Sequence, residues 1–118
     1  MIPHKSRFST FNDGVLWVCK PESSVSDFNA IKNTSREDQL EKIEKLVYHE
    51  MSKRDQDMEF AESQGRVLSI KVKCKLRPKV NTLHQILIEK TLYSIIKLDE
   101  DRSRDEMYLY LEEVRRLS

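Results

Sequence analysis

The stretch Val67-Leu68-Ser69-Ile70-Lys71-Val72-Lys73-Cys74-Lys75-Leu76-Arg77 decides the fold class. Leu68, Ile70, Val72, Cys74 and Leu76 are apolar, and Ser69, Lys71, Lys73, Lys75 and Arg77 alternate with them. Successive side chains leave a strand on opposite sides, so this spacing predicts an extended segment with one buried and one solvated face. Gly65 before it and Pro78 after it punctuate both ends. Such a strand is part of a sandwich or barrel wall, and the rest of the chain must supply the remainder.

Downstream, Pro78 to Thr82 turns the chain and Leu83 to Ile88 forms a second apolar run. Glu89-Lys90 connects it tightly to Thr91 through Leu98. Asp99 to Glu106 reads as a solvated loop before a last strand, Met107 to Val114. In that strand Met107, Leu109 and Leu111 face one way, and Tyr108, Tyr110 and Glu112 the other. Short consecutive strands with tight turns predict an antiparallel meander, curled into a small barrel or sandwich that hides its edges.

Upstream, Gly14 opens Val15-Leu16-Trp17-Val18-Cys19, a strand that ends before Pro21. Met1 to Asn12 reads as an arm anchored by Phe8 and Phe11. Pro21 to Thr34 is a loop by composition, with Ser24, Asp27 and Asn29 around Phe28. From Ser35 to Ser63 the local signals are helical. Leu40, Ile43, Val47 and Met51 recur at helical spacing, and Glu41 with Lys45 makes a favourable i,i+4 pair. Locally this predicts one long helix or two in series. The β-prone Leu46-Val47-Tyr48 leaves a short strand open as the competing reading.

The 118 residues suit one domain, and the formal net charge is +1 although 35% of residues are charged. Gripping nucleic acid by its backbone calls for a basic excess, so this balance argues against a dedicated nucleic-acid binder. No apolar run is long enough to span a bilayer and no signal-peptide pattern opens the sequence, which predicts residence in a cytosol without membrane contact. Cys19 and Cys74 fit that compartment as reduced core thiols.

No catalytic constellation stands out, and the chain is expected not to be an enzyme. Asp99, Asp101, Ser103 and Asp105 imitate the start of a calcium loop. Arg104 sits where a glycine is needed, and Tyr110 where a bidentate glutamate belongs, so a solvated hairpin tip is the better reading. His4, His49 and His84 form no ligand pair with the two cysteines, and no metal or cofactor is expected. The row Lys71, Lys73, Lys75 and Arg77 is the one patterned surface feature. It predicts a solvated face paired with acidic neighbours such as Glu112, or a contact with a neighbouring subunit or with DNA in a channel.

The segment Ile86 to Asp99 followed by Met107 to Val114 resembles the end of a tailed-phage head closure protein, a family also called head–tail joining, connector or stopper proteins. Tyr93 takes the aromatic position after the tight turn, and Asp99 to Asp101 the acidic strand end. Phe11 to Cys19 is similar to the family's first strand. Arg54, Phe60-Ala61 and Gly65 resemble its middle segment. The chain departs at Glu89-Lys90, where members often carry Asp-Gly.

The resemblance implies a mainly β (α+β) fold: a small antiparallel barrel over residues 13–118 with an inserted loop at 21–42 and one short helix, preceded by the arm at 1–12. It implies a strand near Glu44 to Met51 and a helix near Arg54 to Ser63, against the local helical reading. It also implies a structural virion protein of the neck. A ring of copies between a portal–adaptor protein and a tail terminator protein would close the head, retain packaged DNA and dock the tail. The arm, and a docking loop at Ser24, Asp27, Phe28 and Asn29, would then order against neighbouring subunits. A non-enzymatic barrel module of another kind, such as another tail component or a host-factor binder, is the alternative.

Overall fold

The computed structural model describes residues 12–21 and 40–117. The arm up to residue 11 and the docking-loop residues Ser24, Asp27, Phe28 and Asn29 lie outside the described residues. The elements in chain order are β1 (Gly14–Cys19), β2 (Lys42–Met51), α1 (Asp55–Ser63), β3 (Ile70–Lys75), β4 (Gln85–Ile88), β5 (Thr91–Asp101) and β6 (Glu106–Arg116). The six strands close into an antiparallel barrel in the order β1-β2-β3-β6-β5-β4. The fold is thus mainly β with a single short helix among the described residues.

Alternation builds the core. Leu16 and Val18 of β1, Leu46 and Tyr48 of β2, Val72 and Cys74 of β3, and Met107, Leu109 and Leu111 of β6 all turn into the barrel. Ile86 and Ile88 of β4 and Ile95 of β5 complete the filling. A barrel of this size is filled by side chains and leaves no open lumen.

The helical reading of Ser35 to Ser63 is corrected over its described part. Residues Lys42 to Met51 form β2, and only Asp55 to Ser63 are helical. The buried residues of β2 are Leu46 and Tyr48, a period of two. The helically spaced set does not form the core: Ile43 and Val47 lie exposed on the outer wall. Glu41 pairs with Lys20 at 2.9 Å, across the sheet, and not with Lys45. Pairing of β2 with β1 and β3 overrides local propensity here.

The helix has identifiable ends. Arg54 is extended at φ −95 and ψ 159, and its backbone N–H donates to Asp57 Oδ2 at 3.1 Å. This is one half of a capping box; a guanidinium has no acceptor with which to complete the other. At the far end Gly65 N–H donates to the Glu62 carbonyl, and Arg66 N–H to the Ala61 carbonyl, each at 2.9 Å. These are the two bonds of a Schellman motif, and Gly65 holds the left-handed φ of +70 that it requires. A Cβ added at Gly65 would meet nothing within 4 Å. Gly65→Ala is therefore expected to cost about 1 kcal/mol from backbone strain alone, measured as a lower urea midpoint. An unchanged midpoint would contradict the motif.

The strand predicted over Val67 to Arg77 is shorter, Ile70–Lys75. Val67 N–H is taken by the Glu112 carboxylate at 3.1 Å, and the chain leaves the sheet before Pro78. The loop predicted at Asp99 to Glu106 is also shorter. β5 continues to Asp101, the turn is confined to residues 102–105, and Glu106 is fully buried at the start of β6. Glu89-Lys90 does form a tight two-residue connection between the paired Ile88 and Thr91. Glu89 carries a positive φ of 55 in place of a glycine.

Candidate functional site

The basic row does not form an open positive strip. Lys71, Lys73 and Lys75 do share the outer side of β3, but only Lys75 is exposed. Lys71 Nζ lies 3.0 Å from Asp57 Oδ2, with both side chains almost fully buried. Lys73 is 3.8 Å from the buried Glu106, and Lys75 is 3.3 Å from Asp105. Arg77 lies beyond the strand end and meets Glu44 at 2.5 Å. The solvated face predicted for this strand is thus corrected at Lys71 and Lys73. Glu112, named as a partner for the row, pairs instead with Arg66 at 2.7 Å. As a subunit or DNA-channel contact, Lys71, Lys73, Lys75 and Arg77 each arrive with a carboxylate of the same chain within 4 Å, which cancels most of their field at a distance.

What covers this outer face is α1. Ala61 packs with Leu68 and Tyr110, flanked by Ile96 and Tyr108. Lys71 Nζ sits 5.0 Å from the Tyr110 ring centre, and Lys97 Nζ lies 4.7 Å from the ring centres of both Tyr110 and Phe60. Tyr110 Oη donates to Asp99 Oδ2 at 3.0 Å. Burial and the Asp99 carboxylate both push the Tyr110 phenol well above its usual range. The tyrosines are thus packing and hydrogen-bonding groups under the helix, where a base-stacking platform would need open rings. An open cleft of about 780 Å³ adjoins them, lined by Met51, Arg54, Lys71, Asp101, Arg102 and Tyr108 among others. Its charges are largely spent on one another: Arg102 pairs with Glu100, and Asp101 accepts from Ser103 Oγ and Arg104 N–H.

Two carboxylates give this face an acid-sensitive character. Burial pushes the Asp57 carboxyl up, but bonds from Lys71 and the Arg54 N–H, with both positive charges, outweigh it and hold it below the ordinary value. The Arg66 guanidinium, with the Val67 N–H, holds the Glu112 carboxyl low as well. Groups whose folded pKa is depressed contribute stability that is fully present above the unfolded value. That contribution is lost as pH falls through the folded value. Stability is therefore expected to drop as pH is lowered from about 5, and Asp57→Asn should flatten the profile. Urea midpoints across about pH 2–7 read this; identical profiles for the two proteins would contradict it.

Arg77 and Glu44 pair near Cys74, whose thiol burial pushes up to about 12. Such a thiol is a poor nucleophile, and Cys19 and Cys74 are both buried and unbridged. Tyr48, the cross-strand partner of Cys74, and Tyr93 have phenols raised by burial and by Glu50 and Glu89. Gly14 lets the Tyr48 ring lie against the backbone, since a Cβ there would come within 3.1 Å of it.

On the outer side of β1 and β2, Lys42 Nζ lies 4.7 Å and Lys45 Nζ 5.8 Å from the Trp17 ring centre. Nothing in the local pattern links residue 17 to residues 42 and 45, because their proximity depends on the β1–β2 register. Among the described residues no group of three or more His, Cys, Asp or Glu is placed to hold a metal ion, and no helix is long and apolar enough to cross a membrane. Compared with protein-family models and with curated proteins, the chain matches none.

Proposed function

We propose that this chain is a ring-forming structural protein of a tailed-phage neck, seated between portal–adaptor and tail. In this role it closes the head, retains the packaged DNA and docks the tail. The observation that carries the reading is β2. Local signals favoured helix across Ser35 to Ser63, whereas the resemblance to head closure proteins required a strand followed by a short helix. The chain has a strand at Lys42–Met51 and a helix at Asp55–Ser63. The meander also supports it, running β4, a two-residue turn, a β5 that ends in acidic residues, and β6.

The chemistry suits an assembly part. Charges along β3 are neutralised within the subunit, so exposed charges elsewhere are left to set contacts between subunits. The experiment is an assembly reaction depleted of this chain. DNA-filled heads are expected to leak their DNA and to remain without tails, and purified protein is expected to restore joining. Depleted heads that keep DNA and accept tails would overturn the reading in favour of another kind of barrel binding module.

A further inference from the structure

The geometry points to the outer wall of β1 and β2, centred on Trp17, as the surface that receives the α1 helix of a neighbouring copy of this chain. The inference rests on the ring reading and assigns the two faces of its subunit contact.

The receiving wall is apolar with positive charge at its centre. Val15 opposes Val47 in the β1–β2 ladder, and Trp17 opposes Lys45. Val47 is 50% exposed and Ile43 38% exposed, both on the outer side of β2. The ammonium groups of Lys42 and Lys45 lie over the indole, which fixes positive charge at the centre of an apolar patch. Tryptophan is enriched among the residues that anchor protein interfaces.

The donated helix has the opposite character. Asp57 and Ala61 turn inward, which sends Asp55, Glu59 and Glu62 outward on the far side at helical spacing. No Lys or Arg lies between Asp55 and Ser63 to offset them. Met58 and Phe60, 38% and 39% exposed, flank the buried side. An acidic helix with apolar shoulders thus complements a basic wall with an apolar floor.

The two faces are also placed as a ring requires. In the closed strand order α1 lies over β3 and β6, whereas the receiving wall is β1 and β2. The faces are therefore different walls of one barrel. Two different surfaces give head-to-tail contact, which closes into a ring when the rotation permits. A second copy is the occupant because the complementary face belongs to the same chain.

The test uses Lys45→Glu, Glu59→Lys and the double variant, all at exposed positions, so folding is retained and checked by circular dichroism. Assembly is followed by sedimentation over a concentration series, with and without the portal–adaptor complex. Each single reversal is expected to raise the concentration needed for assembly roughly tenfold, and the double to recover to within about threefold of the unaltered protein. If the unaltered protein forms rings and the single reversals change nothing, or the double fails to recover, the face assignment is overturned while the ring reading stands. If the unaltered protein remains a monomer under both conditions, both are overturned.

Discussion

Asp57→Ala is expected to lower stability by about 3 kcal/mol, the scale of removing one partner from a buried ion pair. The carboxylate is the anion for a Lys71 ammonium that is itself almost fully buried. It also accepts the Arg54 N–H at the helix start, so its loss removes an N-terminal restraint as well. Truncation leaves a positive charge under α1, beside the faces of Tyr108 and Tyr110, without its paired carboxylate. The double variant Asp57→Ala/Lys71→Met should recover most of the loss, because the unpaired charge is then gone. Urea unfolding reads the global effect, and amide exchange across residues 55–63 reads release of the helix. A loss below about 0.5 kcal/mol, of the size of a surface ion pair, would show that the pair does not anchor α1.

Leu109→Ala should cost about 3 kcal/mol, within the 2–5 range roughly typical of buried leucines. Leu83→Ala should leave stability unchanged within about 0.5 kcal/mol. Both are leucines in apolar runs of similar appearance. Leu109 is fully buried inside the barrel, between Val72 of β3 and Leu98 of β5. Leu83 is 74% exposed, in a turn whose backbone is held by Asn81 and His84. Thermal or urea unfolding of the two variants side by side separates an inward from an outward position. Equal losses would contradict the barrel register.

That comparison marks where sequence was a sufficient guide. Alternation along Ile70–Lys75 and Met107 to Leu111 gave the inward residues correctly, because a closed sheet hides every second side chain. Alternation says which side chains leave by the outer face, but it does not say what covers that face. Lys71 is polar in the pattern and buried in the fold because Asp57 arrives from a helix fourteen positions earlier. The same limit hid the Trp17 site, which exists only through pairing with β2. β2 itself was masked locally by the helical spacing of Leu40, Ile43, Val47 and Met51 and by the i,i+4 pair Glu41 and Lys45. β-propensity at Leu46-Val47-Tyr48 offers that strand only as the competing reading, and the resemblance decides for it.

The charge pattern shows a related point. Four cations in one alternating run suggest a binding strip, yet their partners come from three separate places: Asp57, the neighbouring Asp105 and Glu106, and Glu44. A row of charges predicts a field only when its counter-charges are known, and those are set by tertiary contact.

The most direct test of the neck assignment is the mass of the purified protein, alone and mixed with the portal–adaptor complex, by light scattering with electron microscopy of the same samples. The account predicts a ring of copies stacked on the portal assembly. A monomer of about 14 kDa that ignores the complex would contradict it.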